Sequence, residues 1–146
     1  EELDFVERYV HVEKQMMGDD FEFRIDQAKA VDADRVRIPS MFVQILVENA
    51  FVHGLKGWDG HKSIHIEIDK KEKATSITVK DNGPGFDIRS VGKKRTGLSV
   101  ITQTIAIVNE RNKSKMTFSL NNEQECGKNI GCVATIVIPD KIKLFI

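Results

Sequence analysis

Two hydrophobic periods stand side by side in this chain, and together they leave few folds open. Between Pro39 and Gly54 (PSMFVQILVENAFVHG), Phe42, Ile45, Leu46, Asn49, Ala50 and His53 recur at helical spacing and line one face. From Ile64 onward the pattern alternates. Ile64, Ile66 and Ile68 interleave with His65, Glu67 and Asp69, a charged turn comes next at Lys70 to Lys73, and Ile77 and Val79 then share a face with Asp81. A one-sided hairpin beside a one-sided helix predicts a sheet with helices covering one face. Asn49, well inside the helix face, and Asp81, at the end of the strand face, are polar groups among apolar ones. Burying such a group without a hydrogen bond costs on the order of a few kcal/mol, so each requires a partner in the protein, in water or in a bound ligand.

The remaining elements obey the same logic. Glu2 to Met17 places Phe5, Tyr9, Val12 and Met16 on one stripe with Leu3, Val6 and Val10 beside it, an amphipathic helix ended by Gly18-Asp19-Asp20. Phe21, Phe23 and Ile25 alternate as a strand, and Val36 to Ile38 reads as a second short one before Pro39. Leu55 to Lys62 is a polar loop containing Trp58. Leu98, Ile101, Ile105 and Val108 mark a helix that starts against Gly97 and runs to about Glu110. Met116 to Leu120 and Cys132 to Ile138 are strands joined by a polar loop. The expected fold is α+β, a two-layer sandwich with a mixed, mostly antiparallel sheet and helices on one face. It forms a single domain over residues 1–146, with residues 1–17 as the helix leading in.

Composition narrows the function. Lys plus Arg and Asp plus Glu are 22 each, so no global field recruits nucleic acid. Two cysteines, Cys126 and Cys132, are too few for a secreted disulfide framework and are expected as reduced thiols. His61 and His65 lack further ligands at zinc spacing and are expected as exposed residues at a strand start. No apolar run reaches the roughly 18 to 20 residues that span a bilayer, and the expectation is a soluble piece. The chain opens on Glu1 within a helical pattern, from which a fragment of a longer protein is expected.

Three features call for a common partner: Asn49 on the helix, Asp81 before Asn82-Gly83-Pro84-Gly85-Phe86, and Gly97 at a helix start. Each has an ordinary reading, namely a satisfied core amide, a tight turn and a helix-leading glycine. His53 before Gly54 is equally a C-terminal cation with its glycine cap, and Lys93, Lys94 and Arg95 form a basic loop. A nucleotide answers all three at once. An inward carboxylate accepts a hydrogen bond from an exocyclic amine, glycines allow close backbone approach, and a helix N-terminus offers N–H donors to phosphate. An amide oxygen joins phosphates and waters around Mg²⁺.

LVENAFVHG resembles the N box, DNGPGF the G1 box and RTGLSVI the G2 box of the ATP-binding fold shared by DNA gyrase, a heat-shock chaperone, histidine kinases and the MutL repair proteins. The run VENAxxHG preceded by IPSMFVQ, with LDFVERYVHVEK upstream, is similar to LytS-type sensor histidine kinases. The resemblance covers Leu3 to Pro139 and implies ATP and Mg²⁺ as cofactors. It implies that Asn49 binds Mg²⁺, that Glu48 occupies the family's acidic position beside the metal shell, and that His53 lies near the phosphates. It further implies that Asp81 recognises the adenine amine, that Gly83 and Gly85 shape its pocket, and that Thr96, Gly97 and Leu98 open the helix beside the phosphates. Two departures stand out. Arg95 replaces the first glycine of the usual GxGL, where it can supply charge to phosphate, with Gly92 slightly upstream, and Gly131-Cys132 stands where the last strand often begins Gly-Thr.

In hydrolases of the superfamily a general-base Glu precedes the metal-binding Asn by one turn; here that residue is Ile45, which takes no proton from water. The resemblance therefore implies transfer of the γ-phosphoryl group to a histidine in an upstream segment of the same or a partner kinase chain, and then signalling to a response regulator. It also implies homodimerisation through upstream helices and a cytoplasmic domain tethered to a membrane sensor. Two other readings share these residues: a non-catalytic nucleotide-binding scaffold and an anti-sigma-type serine kinase.

Overall fold

The structure, a computed structural model, describes residues 7–12, 21–28, 41–55, 61–83 and 96–142. Among these residues a five-stranded sheet runs in the order β1-β2-β3-β5-β4, from β1 (Phe21–Gln27), β2 (Lys62–Lys71), β3 (Ala74–Asp81), β4 (Thr117–Glu125) and β5 (Lys128–Pro139). β1 and β2 are parallel and every other pair is antiparallel, as a mixed but mostly antiparallel sheet requires. The parallel pair needs a long crossover, and between the two strands lies the helix α2 (Phe42–Asn49). Helical residues 7–12 form α1, and α3 (Thr96–Glu110) bridges β3 and β4.

Alternation sorts the sheet into two faces. Ile64, Ile66, Ile77, Val79, Ala134, Ile136 and Ile138 join one core with Leu46, Val47, Leu98, Ile101 and Ile105 from the helices. α2 packs against both α3 and β3, and α3 packs against β4, so the helices cover that face. The opposite face carries Arg24, Asp26, His65, Glu67 and Lys80, linked by polar side-chain contacts. His65 differs from the exposed histidine expected there. It is about one-fifth exposed, enclosed by Asp26 at 2.6 Å and Glu67 at 3.3 Å.

Several elements depart from the sequence reading. In α1, Val10 is buried and Val12 is 56% exposed, so the apolar stripe centres beside the residues expected; Tyr9 meets Phe51 edge-on at 5.7 Å. In α2 the buried set is Phe42, Val43, Leu46 and Val47, continued by Ala50 and Phe51, which leaves Ile45 and Asn49 half-buried at its margin. This stripe is the buried one because Val43, Val47 and Phe51 are all apolar at helical spacing, whereas the neighbouring row Ile45, Asn49 and His53 carries two polar side chains. Past Asn49 the helix widens into a π-helical turn (Ala50–Leu55), and Leu55, expected in a polar loop, is fully buried.

The polar loop expected between the last two strands is a hairpin. β4 and β5 pair as far as Glu125 and Lys128, closed by Cys126 and Gly127, with φ of 54° and 77°. Both residues adopt positive φ, as tight hairpin turns demand. Neither cysteine is in a disulfide; Cys126 is exposed and Cys132 buried. The expected strand at Val36 to Ile38, Trp58, and α1 beyond residues 7–12 lie outside the described residues.

Candidate functional site

The best-defined part of the site is the end of β3. The two-residue period carries Ile77, Val79 and Asp81 onto the helix-covered face, and Asp81 is only 6% exposed. In the sheet register Asp81 stands between Ile64 of β2 and Cys132 of β5. A carboxylate among such neighbours is costly unless its oxygens are hydrogen-bonded. The chain supplies one bond by turning back: Gly83 N–H donates to Asp81 Oδ1 at 3.0 Å.

Asn82 holds that turn in place. Its backbone N–H donates to Ser63 O at 3.3 Å, its Oδ1 accepts the Ser63 N–H at 2.8 Å, and its Nδ2 donates to His61 O at 2.6 Å. The side chain thereby substitutes for one more strand residue and extends the β2–β3 ladder by a rung. Asp81 is thus the last core-facing residue of a strand whose exit is pinned. Sequence reasoning treats Asn82 only as part of a turn; its ladder role depends on cross-strand register.

Asn49 is the last residue of α2, half-buried, with no partner for its amide among the described residues. The π-helical turn after it packs on β3 and β5, the strands that hold Asp81 and Cys132. Turns of this type concentrate at functional sites. Glu48 is half-buried and its Oε1 accepts a hydrogen bond from Gln44 Nε2 at 3.0 Å, one turn earlier on the same helix. His53 lies within the π-helical turn.

Thr96 and Gly97 are the first residues of α3, whose opening N–H groups lack intrahelical acceptors. Leu98 is buried in the core, which fixes that first turn, and α3 packs against α2. Asp81 and Gly83 are therefore in direct contact, while Asn49, His53 and Thr96 to Leu98 stand on helical segments over the same sheet face. Gly85 and Arg95 lie outside the described residues. Among the described residues no group of three or more His, Cys, Asp or Glu side chains is arranged to hold a metal ion.

Cys132 and Gly131 are not evident as site residues from sequence alone. Cys132 is buried directly opposite Asp81 and points to the same face. The alternation Cys132, Ala134, Ile136, Ile138 carries that signal in the sequence.

No family model matches the chain. Among curated proteins it is 32% identical to sensor histidine kinase YesM of Bacillus subtilis over 113 residues, covering 73% of this chain and 19% of YesM. It is also 27% identical to sensor protein LytS of Bacillus cereus, covering 97% of this chain and 24% of LytS. The chain is a relative of the LytS-like sensor histidine kinases. Its likeness to histidine kinases extends to solved structures. The histidine kinase domain of the Erythrobacter litoralis EL346 blue-light activated kinase superposes with a TM-score of 0.65 at 14% identity, over 93% of this chain and 59% of that one. The histidine kinase ThkA, solved in complex with response regulator protein TrrA, gives 0.64 at 19% identity, over 96% of this chain and 40% of that one. At these identities the structures establish the fold: this LytS-like chain has that of a histidine kinase catalytic domain. It spans about a fifth of the length of its curated relatives.

Proposed function

We propose that this chain is the ATP-binding catalytic domain of a LytS-like sensor histidine kinase, with residues 1–146 as one domain and 1–17 as the helix leading in. The observation that carries the reading is Asp81, a buried carboxylate at the end of a core-facing strand whose Oδ1 is oriented by Gly83 N–H. Asp81 accepts a hydrogen bond from the adenine amine, and Gly83 and Gly85 allow the base close to the backbone. The amide oxygen of Asn49 fits as a ligand to Mg²⁺, which takes few protein ligands and keeps phosphates and waters. Glu48, tied to Gln44, orients water around that ion. The N–H groups opening α3 at Thr96, Gly97 and Leu98, with Arg95 and His53, hold the phosphates.

Bound Mg·ATP supplies the γ-phosphoryl group, an imidazole nitrogen forming the new bond to phosphorus as the bond to the ADP oxygen breaks. The acceptor histidine belongs to a segment upstream in the same or a partner kinase chain, and the phosphoryl group passes on to a response regulator. Catalysis by this domain is positioning and charge neutralisation. Ile45 supplies no base one turn before Asn49, which supports transfer over hydrolysis. Among the described residues no helix is long and apolar enough to cross a membrane; we place the domain on the cytoplasmic side of a membrane-anchored, homodimeric sensor.

The test is incubation of a longer chain, carrying the upstream segment, with γ-labelled ATP and Mg²⁺. The proposal predicts acid-labile, alkali-stable label on histidine. Acid-stable label would assign a serine kinase instead, and absence of label with nucleotide still bound would assign a scaffold.

A further inference from the structure

The strand end that carries Asp81 is backed on its other side by β5. β5 pairs with β3 from Pro139 opposite Ala74 to Cys132 opposite Asp81, where the ladder ends. On its other side β5 pairs with β4 in step to Gly131 opposite Glu123, then resumes with Asn129 opposite Gln124. Ile130 is therefore an extra residue, a bulge of the kind that bends a strand and re-aims its neighbours. The bend lays Gly131, at φ 148°, over the peptide that joins Asp81 to Asn82.

A Cβ at residue 131 would overlap the carbonyl oxygen of Asp81 and lie 3.0 Å from its carbonyl carbon and 3.2 Å from Asn82 Cα. All three are backbone atoms, so no side chain can swing aside. On the opposite side the same peptide is tied to β2 through Asn82, Ser63 and His61. The Asp81–Asn82 peptide is thus gripped from both neighbouring strands, and the Gly83-to-Asp81 hydrogen bond is what the grip holds in pose. Gly127, four residues earlier in the same hairpin, serves a different purpose: it has φ 77° and nothing within 4 Å of its would-be Cβ.

We propose that Gly131, set by the bulge at Ile130, is a positioning residue for the adenine-recognising carboxylate of Asp81. This rests on the nucleotide reading for its ligand but not for its geometry. The test compares Gly131→Ala with Gly127→Ala, which is strained but unobstructed. One readout needs no nucleotide: hydrogen exchange at the Gly83 amide. The second is calorimetric Kd for a non-hydrolysable ATP analogue with Mg²⁺. Gly131→Ala is expected to speed Gly83 exchange and raise Kd by about tenfold or more, the scale of losing a hydrogen bond to a charged group. Gly127→Ala is expected to leave both at the wild-type value while lowering the unfolding temperature.

Wild-type exchange and Kd in Gly131→Ala would overturn the proposal. If that variant does not fold, the wild-type chain decides: analogue binding should shift the Gly131 amide resonance and leave Gly127 in place, and a stationary Gly131 at saturation would overturn it. A wild-type chain that does not bind the analogue would defeat the nucleotide reading alone, and the Gly83 exchange comparison would still judge the positioning role.

Discussion

The two faces of the sheet use the same chemical group in opposite ways. On the outer face Asp26 is 56% exposed and lies 3.1 Å from Arg24 Nε and 2.6 Å from His65 Nε2, while Glu67 pairs with His65 and Lys80. Those carboxylates are satisfied by side-chain partners within reach of water, where screening keeps each pair's worth small. On the helix-covered face Asp81 is buried and oriented by a backbone N–H that belongs to its own turn. A surface charge can be exchanged for another at little cost. A buried one fixed by backbone keeps a single orientation, and replacing it is costly.

The largest effect should come from the packing that makes the two faces different. Ile66, fully buried at the centre of β2, should cost about 2–5 kcal/mol when changed to Ala, read from urea unfolding. A cost below about 1 kcal/mol would mean that the covered face is not a packed core. Next is the clamp at the strand exit. Asn82→Ala removes one side-chain bond to β2 at Ser63 and one to His61 just before it, and leaves the Ser63 N–H without that acceptor; we expect a loss of about 1–3 kcal/mol and faster exchange at the Ser63 amide. Unchanged Ser63 exchange would show that the ladder does not depend on the side chain. Smallest is the outer face: Asp26→Asn should alter stability by no more than about 1 kcal/mol in low salt and less in high salt. A larger, salt-independent loss would erase the distinction between the faces.

Much of this distinction is legible from residue order. The direction of Asp81 comes from Ile77 and Val79 by the strand period alone, and the helix at Leu98 to Val108 from a single apolar stripe. The features that escape sequence reasoning are decided by tertiary partners. The exception is α2, where the row Val43, Val47 and Phe51 is more apolar than the row Ile45, Asn49 and His53, a signal that a stripe drawn through Asn49 passes over. Beyond Leu120 the β4–β5 hairpin carries polar residues on both faces and is held by its backbone ladder, so alternation no longer marks it as strand. Asn82 and Gly131 act across strands. Their roles emerge only once the register and the bulge at Ile130 are known.

The candidate site divides in the same way. Asp81 and Gly83 are readable as a pair, and their contact is present. The placement of Asn49, His53 and Thr96 to Leu98 over one sheet face comes from the order of the motifs, which no single segment carries.

The most direct measurement is a calorimetric titration of the chain with a non-hydrolysable ATP analogue, with and without Mg²⁺, in wild type, Asp81→Asn, Asp26→Asn and Asn49→Ala. The account predicts that Asp81→Asn weakens binding by about 10- to 100-fold, the worth of a hydrogen bond to a charged group. Asp26→Asn should leave binding unchanged, and Asn49→Ala should make it insensitive to Mg²⁺. Equal affinity in wild type and Asp81→Asn, or no binding to wild type at millimolar nucleotide, would contradict it.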